Sequence, residues 1–434
     1  MEGLRLWKYW SIPAIGECVP GIPSFAEACE RVQTLLHQAV DRRMLADVPI
    51  GVLLSGGLDS STIASLIARS NYGPFQTFSI GFEEASFDET ERAAEVARIV
   101  GSEHFARTFT ASEFVRQVPI LSASLDEPFA DPSIYPTAVL CELAAEHVKV
   151  AMGGDGADEV FAGYGTFAAL KAARWYERLV PGFVHRNLVQ PLTRMLPDSD
   201  KYLPLSFKVA RFLRGTHVPE AIRTARWMAP FSPELLRELT PDLRELQTDE
   251  EAFISVANAI DRSLEFFQRT YLPNDILVKM DLASMMHSLE VRSPFLDTAL
   301  VTYVNSLPSN FKFRKGVQKH ILREAVVRGK LLPENIVRRR KQGFAMPVAR
   351  WMRVELQSYF REVVIDAWPP TLDMFDRRVI QRLWNEHTNR VENRYKELWA
   401  LFALAQWENF RDRYSATESS DVLPFQTQML RRTA

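Results

Sequence analysis

The stretch Ile50-Gly51-Val52-Leu53-Leu54-Ser55-Gly56-Gly57-Leu58-Asp59-Ser60-Ser61 decides the fold. The apolar run from Ile50 to Leu54 predicts a buried strand, and Ser55-Gly56-Gly57 breaks it. From Thr62 to Ala68 apolar residues recur at helical spacing, so a helix is expected there. Strand, glycine-rich turn and helix together aim backbone N–H groups and a helix N-terminus at an anion such as a phosphate. Gly56 and Gly57 let the backbone approach the anion with no side chain in the way. Ser55, Ser60 and Ser61 can add hydroxyl donors. Asp59 is the odd member, because a carboxylate repels phosphates unless a cation lies between them. Mg²⁺, a hard ion that takes carboxylate and phosphate oxygens, is the natural cation. The plain alternative is a turn that only links a strand to a helix. No Gly-Lys-Ser/Thr follows at the spacing of a P-loop nucleotidase.

Outward from this stretch, residues 1–23 read as an extended lead-in with Trp7, Tyr9, Trp10 and three prolines. Ser24-Phe25-Ala26-Glu27 is a capping box that opens a helix ending near Ala46. Downstream, Thr77–Phe82 predicts a second strand. A helix follows through Val100-Gly101, with Asp88 as its expected N-cap. A third strand is expected near 104–109, a helix over 112–124 and a fourth strand over Val148–Met152. Strands alternating with helices imply a largely parallel sheet, whose ligands sit at the strands' carboxyl ends. From Phe167 onward helical periodicity dominates, with almost no strand signal. The expected organisation is therefore a lead-in over 1–23, an α/β nucleotide-binding core over 24–165 and a mainly helical part over 166–414. That last part includes active-site segments within 276–350, and a polar tail covers 415–434.

Composition narrows the class. The 434 residues are 47% hydrophobic and 24% charged, ordinary for a globular protein of two or more domains. A formal net charge of -2 makes no electrostatic case for nucleic acid or an anionic membrane. The 3 cysteines match no zinc spacing and read as free thiols of a reducing compartment. No run suits a bilayer span or a signal peptide, so a cytoplasmic enzyme is expected.

Three further stretches carry chemistry. Gly153-Gly154-Asp155-Gly156-Ala157-Asp158-Glu159 packs three carboxylates into a turn at a strand end. Such charges raise one another's pKa unless a cation neutralises them, and Asp158 could share Mg²⁺ with Asp59. Leu289-Glu290-Val291-Arg292-Ser293-Pro294 embeds a charged pair among apolar residues, either a structural ion pair or part of a site. Arg338-Arg339-Arg340-Lys341-Gln342-Gly343-Phe344 reads as a loop delivering a cation, Lys341, to developing phosphate charge.

The Ser55–Ser61 stretch resembles the pyrophosphate loop of the ATP pyrophosphatases. Together LLSGGLDSS, TFSIGF with SFDE, DEPFADPS, GGDGADEVFAGY, LEVRSPFLD and RRRKQGFAMP resemble the synthetase domain of the glutamine-hydrolysing asparagine synthetases. The resemblance implies an α/β, adenine nucleotide α-hydrolase-like parallel sheet followed by a mainly helical C-terminal region. It also implies ATP as substrate and Mg²⁺ held by Asp59 and Asp158. ATP would contact Leu54, Ser55, Gly56, Gly57, Asp59, Ser60, Ser61, Ile80, Asp88 and Gly154. Asp155 would assist amide formation, at a position where many relatives carry Glu, and Lys341 would stabilise adenylation. Aspartate and ammonia are the implied small-molecule partners.

The chain begins Met1-Glu2-Gly3, without the Cys that opens the family's glutaminase domain. The expectations are that it uses free ammonia, takes ammonia from a separate glutaminase chain, uses another amine, or is a truncated gene product. The rival readings on the same scaffold are a β-lactam synthetase-like enzyme, a lasso-peptide cyclase-like enzyme, and an amidotransferase of secondary metabolites or cell-surface sugars. The β-lactam branch would need a Tyr–Glu pair; Tyr135 and Tyr164 are present, and sequence pairs neither with a Glu. A non-catalytic scaffold is the alternative of a different class. A homodimer is one of the assemblies left open.

Overall fold

The computed structural model describes residues 5–16, 21–70, 72–193, 196, 199–202, 204–242, 258–340 and 343–417. The capping box forms as read: Ser24 N–H donates to Glu27 Oε2 (2.8 Å) and Glu27 N–H to Ser24 Oγ (3.3 Å). It opens helix α1 (Phe25–Arg43), which ends three residues before the expected Ala46. Its inner face carries Cys29, Val32, Leu36 and Val40, all buried.

Strand β1 (Ile50–Leu53) leads through the Ser-Gly-Gly turn into helix α2 (Leu58–Arg69). The helix starts four residues earlier than its periodicity suggests. Gly57 is the N-cap and Asp59 lies in the first turn, where the helix dipole favours a negative charge. Asp59, Ser60 and Ser61 therefore belong to the helix rather than to a loop.

Strand β2 (Gln76–Phe82) is followed by helix α3 (Thr90–Val100), closed by Gly101 with φ 71°. Here the expected N-cap is corrected: Glu89 holds that position. Asp88 sits one residue outside and accepts from Thr90 N–H (3.2 Å) and Thr90 Oγ1–H (2.9 Å). Strand β3 (Glu103–Phe109), helices Ala111–Ser124 and Ile134–Ala145, and strand β4 (Val150–Met152) follow.

The five strands are all parallel, in the order β3-β2-β1-β4-β5. Strand β5 (Glu290–Arg292) was not expected; at three residues it is too short to show alternation. It pairs with β4, Val150 opposite Glu290 and Met152 opposite Arg292. The chain steps from β1 to β2 to β3 on one side, then returns to place β4 on the other side of β1. That reversal opens a crevice at the carboxyl ends of β1 and β4, where doubly wound sheets bind ligands.

The chain divides into two compact units. One comprises 1–110, 136–229 and 245–347; the other comprises 111–135, 230–244 and 348–434. In the first, Val52, Ile63, Met152, Phe161, Phe295, Val304, Ile321 and Leu322 are among the buried residues of one apolar cluster. In the second, the rings of Phe114, Tyr135, Phe360, Trp399 and Phe402 pack with centroids 4.6–6.3 Å apart. Tyr135 is thus a core ring. Cys29 and Cys141 are buried free thiols, pushed up to about 11 and about 12 by burial. Cys18 and the tail from 418 lie outside the described residues. Among the described residues no helix is long and apolar enough to cross a membrane.

Because Ser24 Oγ accepts the Glu27 N–H in the first turn of α1, Ser24→Ala is expected to lower unfolding stability by about 1 kcal/mol, read from urea denaturation.

Candidate active site

All the geometry below lies in the first unit. The turn after β1 is held by its own serines. Ser55 N–H donates to Ser60 Oγ (3.2 Å), the Ser55 and Ser60 hydroxyls lie 3.2 Å apart, and Gly57 N–H donates to Ser55 Oγ (3.3 Å). Gly56 has φ +71°, and a Cβ there would sit 2.5 Å from the Arg92 carbonyl carbon, so only glycine fits. Ser61 is fully buried, and its Oγ has no hydrogen-bond partner. Leu54 and Ile80 are buried at the ends of β1 and in β2; Leu54 N–H is taken by Phe78 O at 2.7 Å. Asp88 lies beside β2, its Oδ1 2.5 Å from where a Cβ on Gly81 would be.

The turn after β4 meets this helix start. A Cβ on Gly154 would stand 3.1 Å from Asp59 Cβ and 3.2 Å from Ser60 N. The start of α2 and the turn after β4 are thus in contact. The residue that joins them was missed. Lys319 Nζ lies 2.5 Å from Asp59 Oδ2 and 2.6 Å from Asp158 Oδ1. It is only 3% exposed. Burial works against its ammonium, but Asp158 and then Asp59 outweigh that and hold its pKa above the ordinary lysine value. Lys319 has φ 51° and is the N-cap of helix His320–Arg328. A cation there opposes the helix dipole and supplies no cap. That misfit was the one local signal available.

Asp155 stands apart from this pair. Its Oδ2 is buried without a hydrogen-bond partner. Burial pushes its carboxyl up, the Lys279 ammonium on helix Leu277–Met285 pulls it down, and Asp158 and Asp59 add to the upward push. Lys279 is itself buried and was also missed. Tyr164 O–H donates to Glu159 Oε1, the pairing that sequence could not make. Burial, then the Glu159 charge, raises the Tyr164 pKa well above the usual phenol.

The other motifs resolve differently. Arg292 pairs with Glu290 at 2.6 Å and donates to Arg43 O (2.7 Å) and Leu45 O (2.9 Å), clamping the end of α1. The ion pair forms, with the Glu290 side chain largely exposed rather than buried. Arg338 pairs with Glu334, and Arg339 with Glu95. Lys341 and Gln342 lie outside the described residues. Their neighbours are anchored: Gly343 N–H donates to Tyr202 O–H at 2.7 Å, and the Phe344 ring lies 6.2 Å from Phe82, the last residue of β2.

An ATP phosphate chain with Mg²⁺ fits these residues. The site offers glycine backbone at Gly56 and Gly154 and a buried Asp59 Oδ1 without a hydrogen-bond partner. Two hard carboxylates suit Mg²⁺.

The family model for asparagine synthase matches residues 31–409. This chain belongs to the asparagine synthase family. It is 27% identical over 395 residues to asparagine synthetase (glutamine-hydrolyzing) 1 of Bacillus subtilis, covering 90% of this chain and 61% of that protein. It is 31% identical over 385 residues to a Mycobacterium bovis protein provisionally named asparagine synthetase (glutamine-hydrolyzing), covering 87% and 57%. Amidase chry2 of Gibberella zeae is 24% identical over 449 residues, covering 95% and 66%. The chain spans about six-tenths of the length of the first two relatives.

A carboxyl raised on folding contributes most below its unfolded value, near 3.9, and that contribution is lost as pH rises through the folded value. In this asparagine synthase family chain, Asp155→Asn should therefore raise the thermal midpoint at pH 7 by roughly 2 °C. The gain should shrink as pH falls toward about 4. Thermal scans across pH check both statements.

Proposed function

We propose that this chain is a carbon–nitrogen ligase that uses ATP to activate a carboxylate, aspartate first among candidates, and joins it to ammonia. One observation carries the reading. Two glycine-rich turns at the sheet's reversal point bring Asp59 and Asp158 onto one buried lysine. An acceptor carboxylate oxygen attacks the α-phosphorus, the bond to the β-phosphate bridging oxygen breaks, and pyrophosphate leaves with the electron pair. The ammonia lone pair then attacks the acyl carbon, the C–O bond to AMP breaks, and the released proton passes to Asp155.

Ser55, Ser60, Ser61 and the N-terminus of α2 would hold the phosphates. Asp59 and Asp158 would hold Mg²⁺, which neutralises phosphate charge when bound. Lys341 would meet the charge that develops on the α-phosphate, and the anchoring of Gly343 and Phe344 near the end of β2 supports that placement. Ammonia would arrive free or from a separate glutaminase chain. The likeness to a relative named an amidase keeps another acceptor acid as the second reading.

Pyrophosphate release from Mg²⁺-ATP tests this. The expected result is release that needs aspartate, with amide formed when ammonium is supplied. Release that ignores aspartate would move the acceptor elsewhere. Asp59→Asn and Asp158→Asn should each cut release by at least about 100-fold. Full activity in either variant would overturn the assignment of Mg²⁺ to that pair.

A further inference from the structure

We propose that Lys319 is a displaceable counter-ion. In the nucleotide-free protein its ammonium holds the place between Asp59 and Asp158 that Mg²⁺ would take. The metal therefore enters only together with a nucleotide whose phosphates receive the ammonium. The inference rests on the nucleotide reading above and concerns the order in which the site fills.

Three features of the structure lead here. First, the ammonium contacts both carboxylates, at 2.5 Å and 2.6 Å, so a cation already occupies their shared flank. Second, Lys319 is held in place. It is 3% exposed, its backbone is left-handed at φ 51°, and a Cβ on Gly163 would collide with both Asp158 Oδ1 and Lys319 Cε. Its side chain is closely packed, and an ammonium left buried without a partner costs several kcal/mol. Third, the protein alone makes a poor metal site. Among the described residues no group of three or more His, Cys, Asp or Glu could hold a metal ion. Mg²⁺ wants six oxygens in near-ideal geometry and gives up water reluctantly, so two carboxylates are an incomplete shell.

The charges point the same way. Two carboxylates and one ammonium sum to one negative charge. Mg²⁺ in place of the ammonium balances the carboxylates and strands one positive charge in a buried place. A polyphosphate solves both problems, completing the metal's oxygen shell and accepting the ammonium. Metal and nucleotide are then thermodynamically coupled, each raising the other's affinity by the same factor.

The test uses Mn²⁺ as the probe, followed by electron paramagnetic resonance on the full chain, with and without α,β-methylene-ATP. Protein-bound Mn²⁺ is expected from wild type only with the nucleotide. Lys319→Met should bind Mn²⁺ without nucleotide at least about tenfold more tightly than wild type does. Mn²⁺ alone should raise the variant's thermal midpoint and leave that of wild type in place. Asp158→Asn introduced into Lys319→Met should abolish this uptake. Equal Mn²⁺ affinity of nucleotide-free wild type and Lys319→Met would overturn the proposal. Should Lys319→Met not fold, wild type decides alone: tight Mn²⁺ uptake without nucleotide overturns the counter-ion, and uptake only with nucleotide supports it. Wild type that binds neither nucleotide nor Mn²⁺ would sink the nucleotide reading. Uptake by Lys319→Met without nucleotide would then still support displacement, and its absence would overturn it.

Discussion

The buried ammonium of Lys319 between Asp59 and Asp158 is the contact on which this site depends. Two carboxylates facing each other in a crevice repel, and removing either partner of a buried ion pair typically costs 3–5 kcal/mol or more. With the lysine in place, the turn after β1 and the turn after β4 can lie against each other. Glycine at 154 then allows the backbone to close onto Asp59 and Ser60. The fold accepts an unfavourable backbone at Lys319 and a cation at a helix N-terminus to keep this arrangement. Local rules broken together at one residue mark a place where function outweighs propensity.

The sheet explains why these particular turns meet. Parallel strands put every βα turn on the same edge, and the order β3-β2-β1-β4-β5 makes β1 and β4 neighbours. Strands β1 and β4 were legible because each is a short apolar run that leads into a glycine-rich turn. The start of α2 was misread because Leu58 to Ser61 looks like turn chemistry. In the structure Gly57 supplies the N-cap and Leu58 completes the apolar face. Asp88 was misread by one residue for a similar reason: an Asx-type contact to Thr90 mimics a helix cap.

The charged motifs acquired partners that the sequence could not name. Glu290 and Arg292 lie on a short strand whose role is to clamp the end of α1 and extend the sheet. Arg338 and Arg339, before Lys341, are spent on Glu334 and Glu95. A run of charges has the same appearance in sequence whether it clamps a helix or meets a substrate. Only its partners distinguish the two.

Sequence by itself determined the strand–turn–helix unit at Ser55–Ser61, the acidic turn at Gly153–Glu159, the parallel α/β class and the family. Each of these is encoded in contiguous residues, through backbone freedom at glycine and the period of apolar side chains. Tertiary structure alone decided which charges neutralise which. Lys319 lies 260 residues from Asp59, Lys279 opposes Asp155 from another helix, and Tyr164 finds Glu159 across a left-handed turn at Ala162. Electrostatic pairing acts over a few ångströms of space with no period along the chain, so it becomes visible only when the sheet has brought its strand ends together.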